Sequence, residues 1–343
     1  MFNEEIGVDV MEDNYTGEEY MEEKNEEKYL GDILSNDGRN IKNIKARIEK
    51  GKGIASKIIS MLDAFPFGNQ HFEIGIMLRD SLLSSSMLCN SETWYNITKS
   101  EMDLIETVDV MLLRRILNAP KCTPKEMLYL ELGCLPYRDL IQKRRLMFLF
   151  YILKQDPSSI ILKFFESQNN HPKPKDWVSS VKKDLKELDI ENDFEQIKVM
   201  KKKDFKKMFT NRSEKMAMKI LKEKKANHSK VKTLKHENRG IQKYLKHYRM
   251  KITIEERQLI FKIRSEVTDV KMNFKGMYEN FKCEVCNEED ENQEHILKCK
   301  LLNKEEIENI DYSKIKNGNV IEMVKIARQF KKNLECREKY LKQ

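Results

Sequence analysis

The sequence predicts a mainly α protein, and three observations carry that expectation. Of 343 residues 35% are charged, only 12 are Gly and 7 are Pro, and the chain is rich in Lys, Glu, Ile, Leu and Met, a balance that favours helix over strand. From Asn40 onward apolar residues recur every three or four positions rather than every second one. Strand signals are confined to one stretch near Tyr29. A chain of this length can bury a sizeable core and has room for two or three domains.

Residues 1–28 contain eleven acids and two lysines with no sustained apolar period, and read as a weakly structured acidic lead-in. Residues 29–34 give a short strand or hairpin arm, closed by the turn signal Asn36-Asp37-Gly38. Ile41, Ile44, Ile48, Ala55, Ile58, Ile59 and Leu62 then line one face of a helix that should stop at Phe65-Pro66. Apolar segments 72–88 and 101–117 come next, the latter capped by Ser100, and three consecutive helices of this size make a small bundle. Pro124 opens a further helix at its first position, Gly133 and Pro136 end it, and 139–154 forms the next. The polar stretch "SQNNHPKPKDW" is the linker candidate; beyond Trp177 amphipathic helices alternate with lysine runs, and helices are expected at 304–310 and 320–341.

Charge narrows the partner class. The chain carries a net +8, yet residues 1–28 are at −9 and everything from Tyr29 onward at +17. Residues 201–250 hold fifteen Lys and three Arg against four acids, a block suited to polyanions such as nucleic acid. No run approaches the roughly 18–20 apolar residues of a membrane helix, and the start lacks the basic and apolar regions of a secretory signal, so an intracellular protein without a membrane is expected. Cys89, Cys122, Cys134 and Cys336 stand singly, as buried thiols of a reducing compartment do. No Ser/His/Asp arrangement, phosphate loop or dinucleotide fingerprint is readable, and "GKG" at 51–53 lies within a helix, so no small-molecule substrate and no catalysis by this chain alone are expected. Trp94, Tyr95 and Trp177 read as core residues, and His71, His171, His228, His236 and His247 as surface histidines without ligand spacing.

One cluster carries chemistry. Cys283-x2-Cys286-x8-His295-x3-Cys299 supplies three thiolates and one imidazole: the first pair suits a tight knuckle, and His295 and Cys299 fall on one side of a helical turn. Four such donors fill a tetrahedral shell, so one structural zinc per chain is expected, with no open position for a reaction.

The order of motifs resembles the C-terminal half of a non-LTR (LINE-type) retrotransposon reverse transcriptase. "KYLGDILSNDGRNIKNIKARIEKG" looks like the primer grip and first thumb helix, and "LLSSSMLCNSETWYN" resembles the thumb stretch "LL…YGSETW", with Cys89-Asn90 in place of Tyr-Gly. "LRRILNAPKCTPKEMLYLELGCLPYRDLIQKRRL" is similar to the linker after the thumb, and the cysteine–histidine cluster to the CCHC knuckle. The resemblance covers about residues 29 to 300. It implies a thumb-like part at 29–118, a helical linker region at 119–160 and a knuckle at 276–305, with nuclear residence; charge and pattern add a basic helical region at 161–275 and C-terminal helices at 306–343. It also implies that Tyr29, Leu30 and Gly31 lie against a primer strand. Lys42, Lys45, Arg47 and Lys50, off the apolar face of the first thumb helix, are candidates for tracking a nucleic-acid backbone by charge neutralisation. The paired aspartates such a polymerase needs to hold its two metal ions are absent from the sequence. The expectation is therefore a catalytically incomplete fragment that binds RNA, DNA or their hybrid. The alternatives are a zinc-stabilised protein-interaction module and the tail of a longer active polymerase.

Overall fold

The computed structural model describes residues 24–29, 31–65, 68–228, 231, 234, 240–246, 251–303 and 311–342. Most of the acidic lead-in, Leu30, the 304–310 helix, His236 and His247 lie outside the described residues. Within them the chain is mainly α, with one two-stranded hairpin and a cysteine–histidine knuckle.

Strands β1 (Glu26–Tyr29) and β2 (Asp32–Ser35) pair antiparallel, from Glu26 opposite Ser35 to Tyr29 opposite Asp32. The chain thus reverses between Tyr29 and Asp32 rather than at Asn36-Asp37-Gly38. A two-residue hairpin turn needs positive φ, and Gly31 supplies it at +88°. The later segment is a turn too, with Gly38 N–H donating to the Ser35 carbonyl at 2.9 Å, but it feeds a helix.

Helix α1 (Ile41–Ala64) buries Ile44, Ile48, Ala55, Ile58 and Leu62 and ends at Phe65, as its period requires. Gly51 lets α1 close on its neighbour, since a Cβ there would lie 2.2 Å from Met87 Sδ. Where one α-helix is expected over 72–88, α2 (His71–Leu78), a π turn over Arg79–Leu83 and α3 (Ser84–Met87) form a continuous rod. The π turn coincides with Arg79, whose side chain is turned fully inward. Helix α4 (Lys99–Leu117) starts at Thr98, not Ser100: Glu101 stands three residues on, and the two side chains and backbones form a reciprocal capping box. α1, the rod and α4 are the predicted bundle.

A buried ion pair within this bundle is hydrogen-bonded to the next helix and to the turn that follows it. Arg79 grips Asp109 of α4 through two bonds of 2.6 and 2.7 Å and donates to the Leu135 carbonyl at 2.8 Å, while Tyr129 donates to Asp109 at 3.1 Å. Burial acts to lower the pKa of Arg79, but the Asp109 carboxylate beside it holds that pKa well above the usual value. Leu135 and Tyr129 belong to α5 (Lys125–Leu132) and the turn into α6 (Tyr137–Leu153).

Two cores result. The larger contains the bundle, α5, Ile141 of α6 and the C-terminal third of the chain. The smaller runs from Leu146 of α6 through α7 (Ile160–Asn170), α8 (Trp177–Glu187) and α9 (Phe194–Val199) to Phe209 of α10 (Lys202–Ala226). The linker candidate is an exposed connection between α7 and α8, both helices of this smaller core, and its Asp176 caps α8 by accepting from Ser179 N–H. Helices α6 and α10 pass from one core to the other. Along α10, Phe205, Phe209, Ser213, Ala217, Leu221 and Lys225 are buried at four-residue steps, a stripe that winds from the smaller core to the larger. Helices α11 (Ile254–Arg264), α12 (Gln293–Lys298), α13 (Lys314–Asn317) and α14 (Val320–Leu341) complete the larger one.

Trp94 is buried, and Trp177 donates its indole N–H to the Glu92 carbonyl at 2.8 Å, as core residues do. His71 is not on the surface: it is 7% exposed and packs edge-on against Phe72. Of the single cysteines Cys134 is buried but Cys122 is exposed. No helix among the described residues is long and apolar enough to cross a membrane.

Candidate metal centre

The four predicted ligands converge. Donor atoms of Cys283, Cys286, His295 and Cys299 all lie within 4.8 Å of one another. Cys286 Sγ stands 3.4 Å from His295 Nε2, close to the separation that bonds of about 2.3 and 2.0 Å to one tetrahedral ion produce. The group can therefore hold a metal ion.

Local sequence explains the convergence. After Cys283, Val285 and Cys286 turn back, Asn287 takes a left-handed φ of +57° that Asn tolerates, and its N–H reaches the Cys283 carbonyl at 2.8 Å. The Glu289 carbonyl then accepts from Cys283 N–H at 2.8 Å, and Lys282 and Asp290 form a single β-bridge. Asn292 caps α12 by accepting from His295 N–H at 2.8 Å, which fixes the histidine in the first turn and Cys299 at the helix end, on the same side.

His295 has its tautomer set from behind. Glu289 lies 3.2 Å from Nδ1, so that nitrogen carries the proton and Nε2 keeps its lone pair toward the thiols. The sulfurs differ in readiness. Burial acts to raise Cys286, but the amides of Glu288 and Glu289 stabilise its thiolate and bring its pKa down to about 7. Burial pushes Cys283 up and Cys299 up to about 11, a cost that a bound dication reverses. All four positions of a tetrahedral shell are filled by protein, so this arrangement suits a structural ion.

The knuckle is built into the larger core. Cys283, Val285, Ile296, Leu297, Cys299 and Leu302 belong to the same buried cluster as the bundle. Asn333 of α14, fully buried, donates to the Ile296 carbonyl at 2.7 Å, and Arg337 of α14 binds the buried Glu291 at 2.7 Å. Glu291 also accepts from Lys271 N–H at 3.1 Å. Reading the sequence alone missed Glu289, Glu291, Asn333 and Arg337. An acid inside the ligand loop is a visible hint for Glu289; nothing local marks the others, which act across long sequence separations.

The candidate nucleic-acid residues are not brought together in the same way. Tyr29 is 64% exposed at the hairpin end, and Gly31 faces open space, so its role there is the positive φ. Leu30 lies outside the described residues. Lys45 and Lys50 are exposed on α1, and Lys42 pairs with Glu26. Arg47 corrects the reading of that helix face: it is 6% exposed and binds Asp32 at 2.7 Å and the Ser86 carbonyl at 3.3 Å. The cause is Asp32, which turns from β2 into the bundle and needs a cation. Although burial opposes its ionisation, hydrogen bonds from Arg47, Asn90 and Asn43 keep its carboxyl below the usual range. That network pins the hairpin to α1 and to the turn at Asn90. The larger cationic surface lies elsewhere, on α10, where Lys203, Lys207, Lys215, Lys219 and Lys222 are exposed along 25 residues.

Against known proteins, no family model, no curated protein and no solved structure matches this chain.

Proposed function

We propose that this protein binds nucleic acid through the cationic face of α10 and the outer face of α1, on a helical frame closed by one structural zinc ion, and that it corresponds to the thumb-to-knuckle part of a non-LTR retrotransposon reverse transcriptase. The observation that carries the binding role is α10. Its 25 residues span about 37 Å and expose Lys203, Lys207, Lys215, Lys219 and Lys222, three to eight residues apart, a spread of cations able to neutralise several phosphates of one backbone. Three thiolates and one imidazole in a closed shell favour zinc among the common ions.

Two features support the kinship. The hairpin, the bundle and the knuckle succeed one another in the order the motifs imply. Asn90, standing where the resembling stretch has Gly, adopts a left-handed φ of +56°, the conformation Gly and Asn share. The role assigned to these residues is to hold nucleic acid, in the nucleus, rather than to polymerise it.

The test is a salt series with an RNA–DNA hybrid and the full chain. Affinity should fall steeply as salt rises, and the triple variant Lys215→Ala, Lys219→Ala, Lys222→Ala should flatten the log–log slope by about 0.9 for each phosphate no longer neutralised. Binding that is absent, or indifferent to salt, rejects the proposal. A second reading, a protein-interaction module, draws on the Glu26–Lys42 pair, in which the acidic lead-in already occupies part of the α1 surface. It predicts that deleting residues 1–28 alters self-association and leaves hybrid affinity unchanged.

A further inference from the structure

The first half of α10 does not face the same space as its second half. Lys202 and Lys206 border an open groove of about 880 Å³ between α10, α6 and the α2–α3 rod. From α6 the groove receives Lys143 and Arg144 together with Met147, Phe148 and Tyr151. Phe148 and Tyr151 are stacked, their centroids 6.0 Å apart and their planes within 10° of parallel, and Tyr151 is 54% exposed. Trp177 abuts Phe148 edge-on at 5.7 Å and fixes the base of the stack. Arg144 is held at the wall by donating to the Leu88 carbonyl. The acids Asp80 and Glu92 also line the groove, but Asp80 binds Arg79 at 2.8 Å and Glu92 lies 4.0 Å from Arg144, so both are engaged by cations of the wall.

A continuous row of phosphates on a duplex makes no use of an aromatic step, because paired bases present only their edges. A single strand does: its bases stack on aromatic faces while lysines track its backbone. We propose that this groove binds unpaired nucleotides, with a base stacked on Tyr151 and the flanking phosphates neutralised by Lys202 and Lys206. The inference rests on the nucleic-acid reading of α10 and deepens it, separating a single-strand groove at the start of the helix from a duplex-tracking row at its end.

The experiment compares anisotropy titrations of a twelve-residue oligothymidylate and a duplex of equal length on the full chain. Tyr151→Ala should weaken single-strand binding about 5- to 100-fold, with duplex affinity within two-fold of the parent, and Tyr151→Phe should restore it. Lys202→Ala with Lys206→Ala should lower the single-strand salt slope by about 0.7 per lysine. Since Tyr151 is largely exposed, an unchanged urea midpoint certifies the fold of each variant. Single-strand binding that ignores both the Tyr151 and the Lys202/Lys206 changes overturns the groove while leaving duplex binding by α10 intact. Absence of binding to either probe removes the broader reading as well. Should sedimentation show that Tyr151→Ala alters self-association and not oligonucleotide affinity, the groove is a protein contact and the inference is wrong.

Discussion

Single residues decide whether the candidate metal centre is ready for an ion. His295 offers the correct nitrogen because Glu289 holds the proton on the other one. Glu289→Ala should therefore lower metal affinity by about 10-fold, the low end for such partners because Glu289 is itself solvent-facing. Competition with a chromophoric chelator measures this, and Glu294→Ala, whose carboxylate pairs with Lys298 instead, is the control expected to change nothing. Asp139 gives a second residue-level prediction. Burial pushes its carboxyl up to about 6, with Glu106 adding to the rise and Arg138 and Lys224 opposing it. A raised folded pKa means that the contribution to stability is full below about pH 4 and is lost as pH climbs through 6. Asp139→Asn, neutral throughout, should thus be more stable than the parent by about 1–2 kcal/mol at pH 7.5 and equal to it at pH 3.5. Urea midpoints at the two pH values report the difference; an equal gain at both would show that charge is not the cause.

Among the elements, turns carry more constraint than helices. Gly133 ends α5 at φ +64°, and a Cβ there would lie 2.0 Å from the Gly240 carbonyl carbon. The backbone of 240–242 is packed against the α5 terminus, where Gln242 N–H donates to the Glu131 carbonyl at 2.9 Å. Gly133→Ala should cost about 1–2 kcal/mol for the left-handed conformation and more for displacing that segment, enough to lower the thermal midpoint by several degrees. Gly53→Ala, with open space around it inside α1, should instead be neutral or slightly stabilising. The π turn at Arg79 obeys the same logic, because an added residue in the rod lets one side chain reach Asp109. A period-based reading sees only a helix there.

At the scale of the molecule the candidate metal centre belongs to the main core. Its cysteines share one buried cluster with the bundle, and α14 grips it through Asn333 and Arg337. Chelation should accordingly raise amide exchange not only at 283–299 but also along α14 and at 268–272, while the smaller core of α7, α8 and α9 keeps its protection. A rise in exchange confined to the four-ligand loop would show that the knuckle is an appendage. Cys286→Ser should reproduce the chelated pattern, with lower metal content by elemental analysis.

The sequence by itself determined the helical class, the first bundle helix with its stop at Phe65, and the four metal donors, because each rests on local spacing: the 3.6-residue period, the helix-ending Pro66, and ligands within one short loop. Only the tertiary structure decided that Arg47 is an inward counter-ion to Asp32, that His71 is buried, that the apparent linker joins two helices of one core, and that Tyr151 and Lys202, far apart in the chain, line one groove. Those outcomes depend on which carboxylate or helix arrives from elsewhere in the chain. Charge and periodicity reveal that a residue is cationic or on a given face, while desolvation and pairing across long separations determine whether it meets water, a partner or an empty groove.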